Sequence, residues 1–479
     1  MKILPEVALT YDDVLLVPQY SNVDSRKTLS TRTKLTRKIS LEIPFVSANM
    51  DTVTESAMAI AMARAGGIGI VHRFMSIAEQ AQEIARVKKA ESFIVDEPIT
   101  MSAARTVGEV KRVVEETGTG GILLLDQQGQ LVGIVTTRDL LFEHADTKPV
   151  SELMQHHVIT APPDTTLLEA ERILHEHRIE KLPLVDAQGR VVGLITTKDI
   201  MKIEQFPRAT KDPRGRLAVG GAVGVRAKEL KRVEALLTAG ADCIVVDIAH
   251  GDSQLEIEMI RAIRKHFPTA QIIGGNVASA EGTKRLVDAG ADAIKVGVGP
   301  GSICITRVVA GSGVPQLSAV IECVDAARAL DIPIIADGGI KNSGDVVKAI
   351  AAGASSVMIG SLLAGTDESP GLMMTRQGHR YKTSRGMASA QATVARKSRE
   401  GEGDLTQEEI DEYVSEGVEA AVPYRGYARE ALTQLVGGLQ SGMSYSGAHS
   451  IAELQAKAIF VRMTPTGLRE SHPHDVEVL

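Results

Sequence analysis

The chain has 479 residues, 44% of them hydrophobic and 24% charged, with a formal net charge of −7. That length exceeds one ordinary core and predicts two or three domains, while the acidic balance, 3% aromatics and absence of Trp argue against a nucleic-acid binder. Three cysteines (Cys243, Cys304, Cys323) cannot build a disulfide framework and no CxxC pair suggests zinc, which fits a cytoplasmic protein. The start, Met1-Lys-Ile-Leu-Pro5, lacks a signal-peptide core, and the apolar stretch 57–71 is broken by Arg64 and Gly66-Gly67, so no membrane partner is expected.

Two apolar runs come first, Pro44-Phe-Val-Ser47 and Gly67-Ile-Gly-Ile-Val71. Between about 92 and 204 a repeat follows. Asp126-x-x-Gly129-x-x-Val132-Gly-Ile-Val-Thr-Thr-Arg-Asp139 returns as Asp186-x-x-Gly189-x-x-Val192-Gly-Leu-Ile-Thr-Thr-Lys-Asp199. Each copy reads as a strand, a glycine turn, a second strand and a Thr that caps a helix. The block resembles a tandem pair of CBS domains. That resemblance implies an adenine or guanine nucleotide on Thr136, Asp139, Thr196 and Asp199; helix capping alone is the other role open to these residues.

Six further runs complete the series: Leu217-Ala-Val-Gly220, Cys243-Ile-Val-Val-Asp247, Gln271-Ile-Ile-Gly274, Ala293-Ile-Lys-Val296, Pro333-Ile-Ile-Ala336 and Ser356-Val-Met-Ile359. Three follow the helix endings Ala239-Gly-Ala-Asp242, Ala289-Gly-Ala-Asp292 and Ala352-Gly-Ala-Ser355, with glycine placed for a left-handed cap. Eight such units predict a (β/α)8 TIM barrel over 1–91 and 205–479. The repeat at 92–204 would be inserted after strand two, on a loop.

In such a barrel the residues after each strand converge on one face. They are Asp51, then Asp247 and His250, then Asn276, then the loop Gly297-Val-Gly-Pro-Gly-Ser-Ile-Cys-Ile-Thr306, then Asp337-Gly338-Gly339 and Gly360-Ser361. Glycines after strands seven and eight suit a phosphate, and Asp337 beside them suits ribose hydroxyls, so a nucleoside monophosphate is expected there. Its base would extend toward Cys304. A thiolate in reach of a purine C2 can add to it and form a thioimidate, with Thr306 and a distant carboxylate relaying protons. Cys243 in a strand and Cys323 on a helix over 318–330 read as core.

Leu9-Thr-Tyr-Asp-Asp-Val-Leu-Leu-Val-Pro18, Met50-Asp-Thr-Val53, the Cys304 loop, Ala336-Asp-Gly-Gly-Ile340, Ser384-Arg-Gly-Met-Ala-Ser389 and Glu416-Gly-Val-Glu419 together resemble the IMP dehydrogenase/GMP reductase family, over essentially the whole chain. The resemblance implies Cys304 as nucleophile and Thr306 with Glu416 as proton relay. It puts the phosphate on Ser302, Gly338, Gly339, Gly360 and Ser361, the ribose on Asp337, the base at Met387 and Ala388, and the nicotinamide against Asp247 and Asn276. It also implies K+ on the carbonyls of Gly299, Gly301 and Cys304, and a homotetramer or CBS-paired octamer.

The two family reactions part after the thioimidate. IMP dehydrogenases use NAD and hydrolyse it with an Arg-Tyr pair on a flap; GMP reductases use NADPH and need no such base. The matching segment, 396–413, contains no Arg-Tyr dipeptide: Arg399 precedes Glu400 and Tyr413 stands alone. Asn49, Gln316-Leu-Ser-Ala-Val-Ile-Glu-Cys323 and Ala388 are also reductase-like. The CBS pair and Glu470-Ser-His-Pro-His-Asp475 are more like dehydrogenases. GMP reductase is the expectation, with NADPH. Its alternatives are an IMP dehydrogenase using NAD and Arg396 or Arg399 as base, and a CBS nucleotide sensor with an inert barrel.

Overall fold

The computed structural model describes residues 3–91, 93–204, 206–389, 392, 394, 414–474 and 476. It divides into two compact units: 1–90 with 208–210 and 217–479, and 91–207 with 211–216.

The first unit opens with β1 (Phe45–Ser47), α1 (Ser56–Ala65), β2 (Ile68–Val71) and α2 (Ile77–Ala90). The second unit runs β3 (Ile94–Val95), β4 (Thr100–Ser102), α3 (Val107–Thr117), β5 (Gly121–Leu125), β6 (Leu131–Thr136), α4 (Thr137–Leu140), α5 (Leu167–His177), β7 (Lys181–Val185), β8 (Val191–Thr196) and α6 (Thr197–Glu204). The first unit then resumes with β9 (Val219–Val223), α7 (Glu229–Thr238), β10 (Cys243–Asp247), α8 (Gln254–His266), β11 (Gln271–Val277), α9 (Ala280–Ala289) and β12 (Ala293–Val296). After it come α10 (Thr306–Val309), α11 (Gln316–Arg328), β13 (Ile334–Asp337), α12 (Ser343–Ala351), β14 (Ser356–Ile359) and α13 (Ser361–Ala364). A three-stranded sheet of β15 (Met373–Arg376), β16 (His379–Arg385) and β17 (Glu419–Pro423) precedes α14 (Ala428–Tyr445).

Strands β1, β2 and β9–β14 close into a parallel eight-stranded barrel, one from each apolar run. Five of these strands are buried at every position, as a sheet covered on both faces requires; β10 and β13 end, and β11 nears its end, in a half-buried Asp or Asn that faces the site. Alternate side chains divide between two cores. Val46, Ile70, Ala222, Val245, Ile273, Ile335 and Met358 fill the barrel, whereas Phe45, Val71, Ile244, Val246, Ile272 and Ile294 meet the helices. Cys243 faces the barrel interior and Cys323 the helix layer; both are fully buried. The expected glycine caps form: Gly240, Gly290 and Gly353 have φ of +99°, +114° and +109°.

The chain completes α2 before entering the second unit, so the interruption falls in the connection from α2 to β9 rather than in the loop after β2. The loop after β2 is thereby left to the barrel. In the second unit, β4-β5-β6 and β7-β8-β3 form two similar sheets, and Gln130 bridges to Arg190 where the repeats meet. Among the described residues no helix is long and apolar enough to cross a membrane.

Candidate active site

The Cys304 thiol lies 3.2 Å from the Thr306 hydroxyl, which donates to Glu416 Oε2 at 2.8 Å. Two stretches remote in sequence thus make one line of proton-carrying atoms. Backbone bonds lace them together: Ile305 N–H to Glu416 O (2.9 Å), Val418 N–H to Ile303 O (3.0 Å) and Glu416 N–H to Ala388 O (3.0 Å). The segment with Met387 and Ala388 therefore lies beside the Glu416 strand entry, carried there by β16. Cys304 is half-buried, whereas burial pushes the Cys323 thiol up to about 12 and that of Cys243 well above its ordinary range. Only Cys304 is placed to react.

A cavity of about 250 Å³ opens at the strand ends, lined by Ser302, Asp337, Gly338, Gly339, Gly360 and Ser361. All six were expected from sequence. Gly338 and Gly339 take φ of +93° and +80°, a pair of left-handed turns that no other residue type adopts readily. A methyl on Gly338 would stand 2.8 Å from Pro300 Cγ, so glycine also lets the loops after β12 and β13 meet. Met50, Lys341 and Ser384 line the same cavity; sequence reasoning gave them no role. Met387 and Ala388 are not among its lining residues.

Beside the cavity a buried charge network joins three strand ends. Lys295, in the middle of β12, puts Nζ 2.6 Å from Asp247 Oδ1 and 2.7 Å from Asp337 Oδ2, and also bonds Asn276 Oδ1. Asn276 Nδ2 donates to Asp337 Oδ2 (3.0 Å) and Gly297 O (2.7 Å), and Asn49 Nδ2 to Asp247 Oδ2 (2.7 Å). Burial opposes the charge on Lys295, but the two carboxylates override it and hold the ammonium above the ordinary lysine value. Burial likewise opposes ionisation of Asp247, and Lys295 reverses this to pull it below the usual range. Sequence reasoning missed Lys295. A lone lysine inside Ala293-Ile-Lys-Val296 was the available signal, since an unpaired ammonium does not survive in a barrel wall.

Elsewhere, Arg385 holds Asp51 at 2.5 Å and anchors the end of β16 to the loop after β1. In the Cys304 loop, the Gly301 carbonyl accepts the Cys304 N–H at 3.1 Å. In the second unit, Thr136 and Thr196 donate to Asp139 and Asp199 at 2.7 and 2.6 Å, so each pair forms a helix cap. Arg396, Arg399 and Tyr413 lie outside the described residues.

The model of the IMP dehydrogenase / GMP reductase domain matches residues 8–474. The chain belongs to this family. Its members are purine-nucleotide oxidoreductases that use nicotinamide dinucleotides. Similar proteins include the inosine-5'-monophosphate dehydrogenases of Nitrosopumilus maritimus (53% identical, covering 98% of both chains) and Aquifex aeolicus (54%, covering 98% of this chain and 96% of the relative). Among solved structures, a Trypanosoma brucei GMP reductase variant with guanosine 5'-monophosphate aligns at 45% identity and TM-score 0.84 over 98% of both chains. The same enzyme with guanosine 5'-triphosphate aligns at 41% and 0.73, covering 96% of this chain and 98% of that one.

Proposed function

We propose that this protein is a GMP reductase: GMP, NADPH and a proton give IMP, NADP+ and ammonia. The Cys304–Thr306–Glu416 line carries the reading, because both half-reactions need a proton moved at the sulfur-bearing carbon. Cys304 adds to purine C2, and its thiol proton, passed through Thr306 and Glu416, leaves with the amine as ammonia. The resulting thioimidate takes hydride at C2 from reduced nicotinamide, and a proton returns to Cys304 as IMP departs. Asp337 binds the ribose; Ser302, Gly338, Gly339, Gly360 and Ser361 cradle the phosphate; Met387 and Ala388 read the base. Asp247 and Asn276, bonded into one network with Asp337, fit a nicotinamide lying beside the ribose. Carbonyl oxygens are hard donors, so Gly299, Gly301 and Cys304 would hold K+ and steady the thiol loop.

Two observations support the reductase over the dehydrogenase. Segment 396–413 offers no Arg-Tyr pair to activate water. The T. brucei reductase matches over 98% of both chains, inserted unit included, so that unit does not mark a dehydrogenase. IMP dehydrogenase is the second reading, favoured by relatives of that name at 53–54% identity. We read the inserted unit as a CBS pair in which Thr136, Asp139, Thr196 and Asp199 take a purine nucleotide, in a homotetramer that pairs further through it. The test follows nicotinamide absorbance with GMP plus NADPH, and separately with IMP plus NAD. NADPH loss with GMP supports the reductase; NADH formation with IMP overturns it; silence in both leaves the nucleotide sensor.

A further inference from the structure

Glu256 occupies the first turn of α8 and is fully buried, where an amphipathic helix would place an apolar side chain. Its Oε1 accepts the Gly275 N–H at 2.5 Å, and its Oε2 has no hydrogen-bond partner among the described residues. The carboxyl lies in a slot of bare backbone. A methyl on Gly251 would stand 2.8 Å from Oε2, and one on Gly274 3.2 Å from Oε1. The two glycines at 251 and 274 therefore leave the space this carboxyl fills.

The peptide it holds is central to the site. Gly275 O accepts the Ile248 N–H (3.2 Å), Asn276 N–H donates to Ile248 O (3.0 Å), and Gly251 N–H donates to Asn276 O (2.7 Å). Gly275 also pairs with Asp247 across β10 and β11. Asp247 from β10 and Lys295 from β12 are the charged groups whose fields reach the carboxyl.

We propose that Glu256 is a positioning residue that works as a neutral acid, clamping the Gly275–Asn276 segment so that Asn276, Asp247 and Lys295 stand in register for the nicotinamide. This rests on the reading that Asp247 and Asn276 face that ring. Burial pushes the carboxyl up to about 9, with Asp247 adding to the rise and the Gly275 N–H and Lys295 opposing it. Once ionised, Glu256 becomes a third carboxylate competing for Lys295 and loosens the network.

The experiment titrates NADPH by its fluorescence into wild type, Glu256→Gln and Glu256→Leu, from neutral pH to above the carboxyl's ionisation. Wild type should weaken about tenfold across that ionisation, equivalent to about 1.4 kcal/mol. Glu256→Gln, which cannot ionise, should bind as wild type at neutral pH and show no alkaline weakening. Glu256→Leu should lose about tenfold in NADPH affinity at every pH while GMP affinity stays within about twofold. In the infrared, the wild-type minus Glu256→Gln difference should contain the carbonyl stretch of a protonated acid. An alkaline limb retained in Glu256→Gln, unchanged NADPH affinity in Glu256→Leu, or absence of that band overturns the proposal. Should Glu256→Leu fail to fold, Glu256→Gln and the infrared band decide. Neither readout requires turnover, so a protein inert toward GMP and NADPH in the absorbance assay still answers for Glu256.

Discussion

Replacing Lys295 by Met removes one charge and strands two. Asp247 and Asp337 keep about a fifth of their side-chain surface, and Lys295 keeps 3%. At separations of 2.6 and 2.7 Å each pair is worth about 6 kcal/mol of Coulomb attraction at an effective dielectric near 20, mostly offset by desolvation. Breaking such a network by removing one partner costs about 3–5 kcal/mol, because the remaining carboxylates are buried without a counter-charge. The sign with pH follows. Asp247 is held below its ordinary value, so its contribution is present above about pH 4 and is lost as pH falls through its depressed value. Lys295 is held above its own, so its contribution persists below about pH 10 and fades only beyond that. The Lys295→Met penalty should therefore be flat through neutral pH and shrink on acidification, where the stranded Asp247 takes up a proton. Urea midpoints of wild type and variant at neutral pH and near pH 5 measure it. A neutral-pH loss below about 1 kcal/mol, or one that does not shrink in acid, would refute the reasoning.

Thr306→Val and Glu416→Gln should each lower kcat by about 10²–10⁴-fold with little change in nucleotide affinity, measured by steady-state rates and GMP titration. Equal losses in binding would point to a folding role instead. With a small alkylating agent and intact-mass detection, Cys304 should label first and be protected by GMP, while Cys243 and Cys323 react only after unfolding. Early labelling of either buried thiol would contradict their placement.

The barrel was legible because parallel strands covered on both faces leave uninterrupted apolar runs, and each glycine cap announces the next one. The cavity was legible for a related reason: Asp337, Gly338, Gly339, Gly360 and Ser361 sit directly on strand ends. The β15–β17 sheet was not. In β16 the inward side chains are Lys382 and Ser384, and Lys382 is satisfied by the carbonyls of Thr366 and Ser369 rather than by apolar contact. No hydrophobic alternation exists there to read. Lys295 and Glu256 escaped for the opposite reason: each is a charge-bearing residue in an apolar pattern, and its partner lies on another element of the barrel.

The bonds between Ala388 and Ser415–Glu416 close the neck of the excursion that joins β16 to β17. Because the neck is tied, rewriting the intervening sequence leaves the thiol, the hydroxyl and the carboxylate where they are. A lineage could thus trade one second half-reaction for the other by editing that one stretch of sequence. Overall sequence identity then says little about which product is released, and relatives bearing either name can share half their residues with this chain.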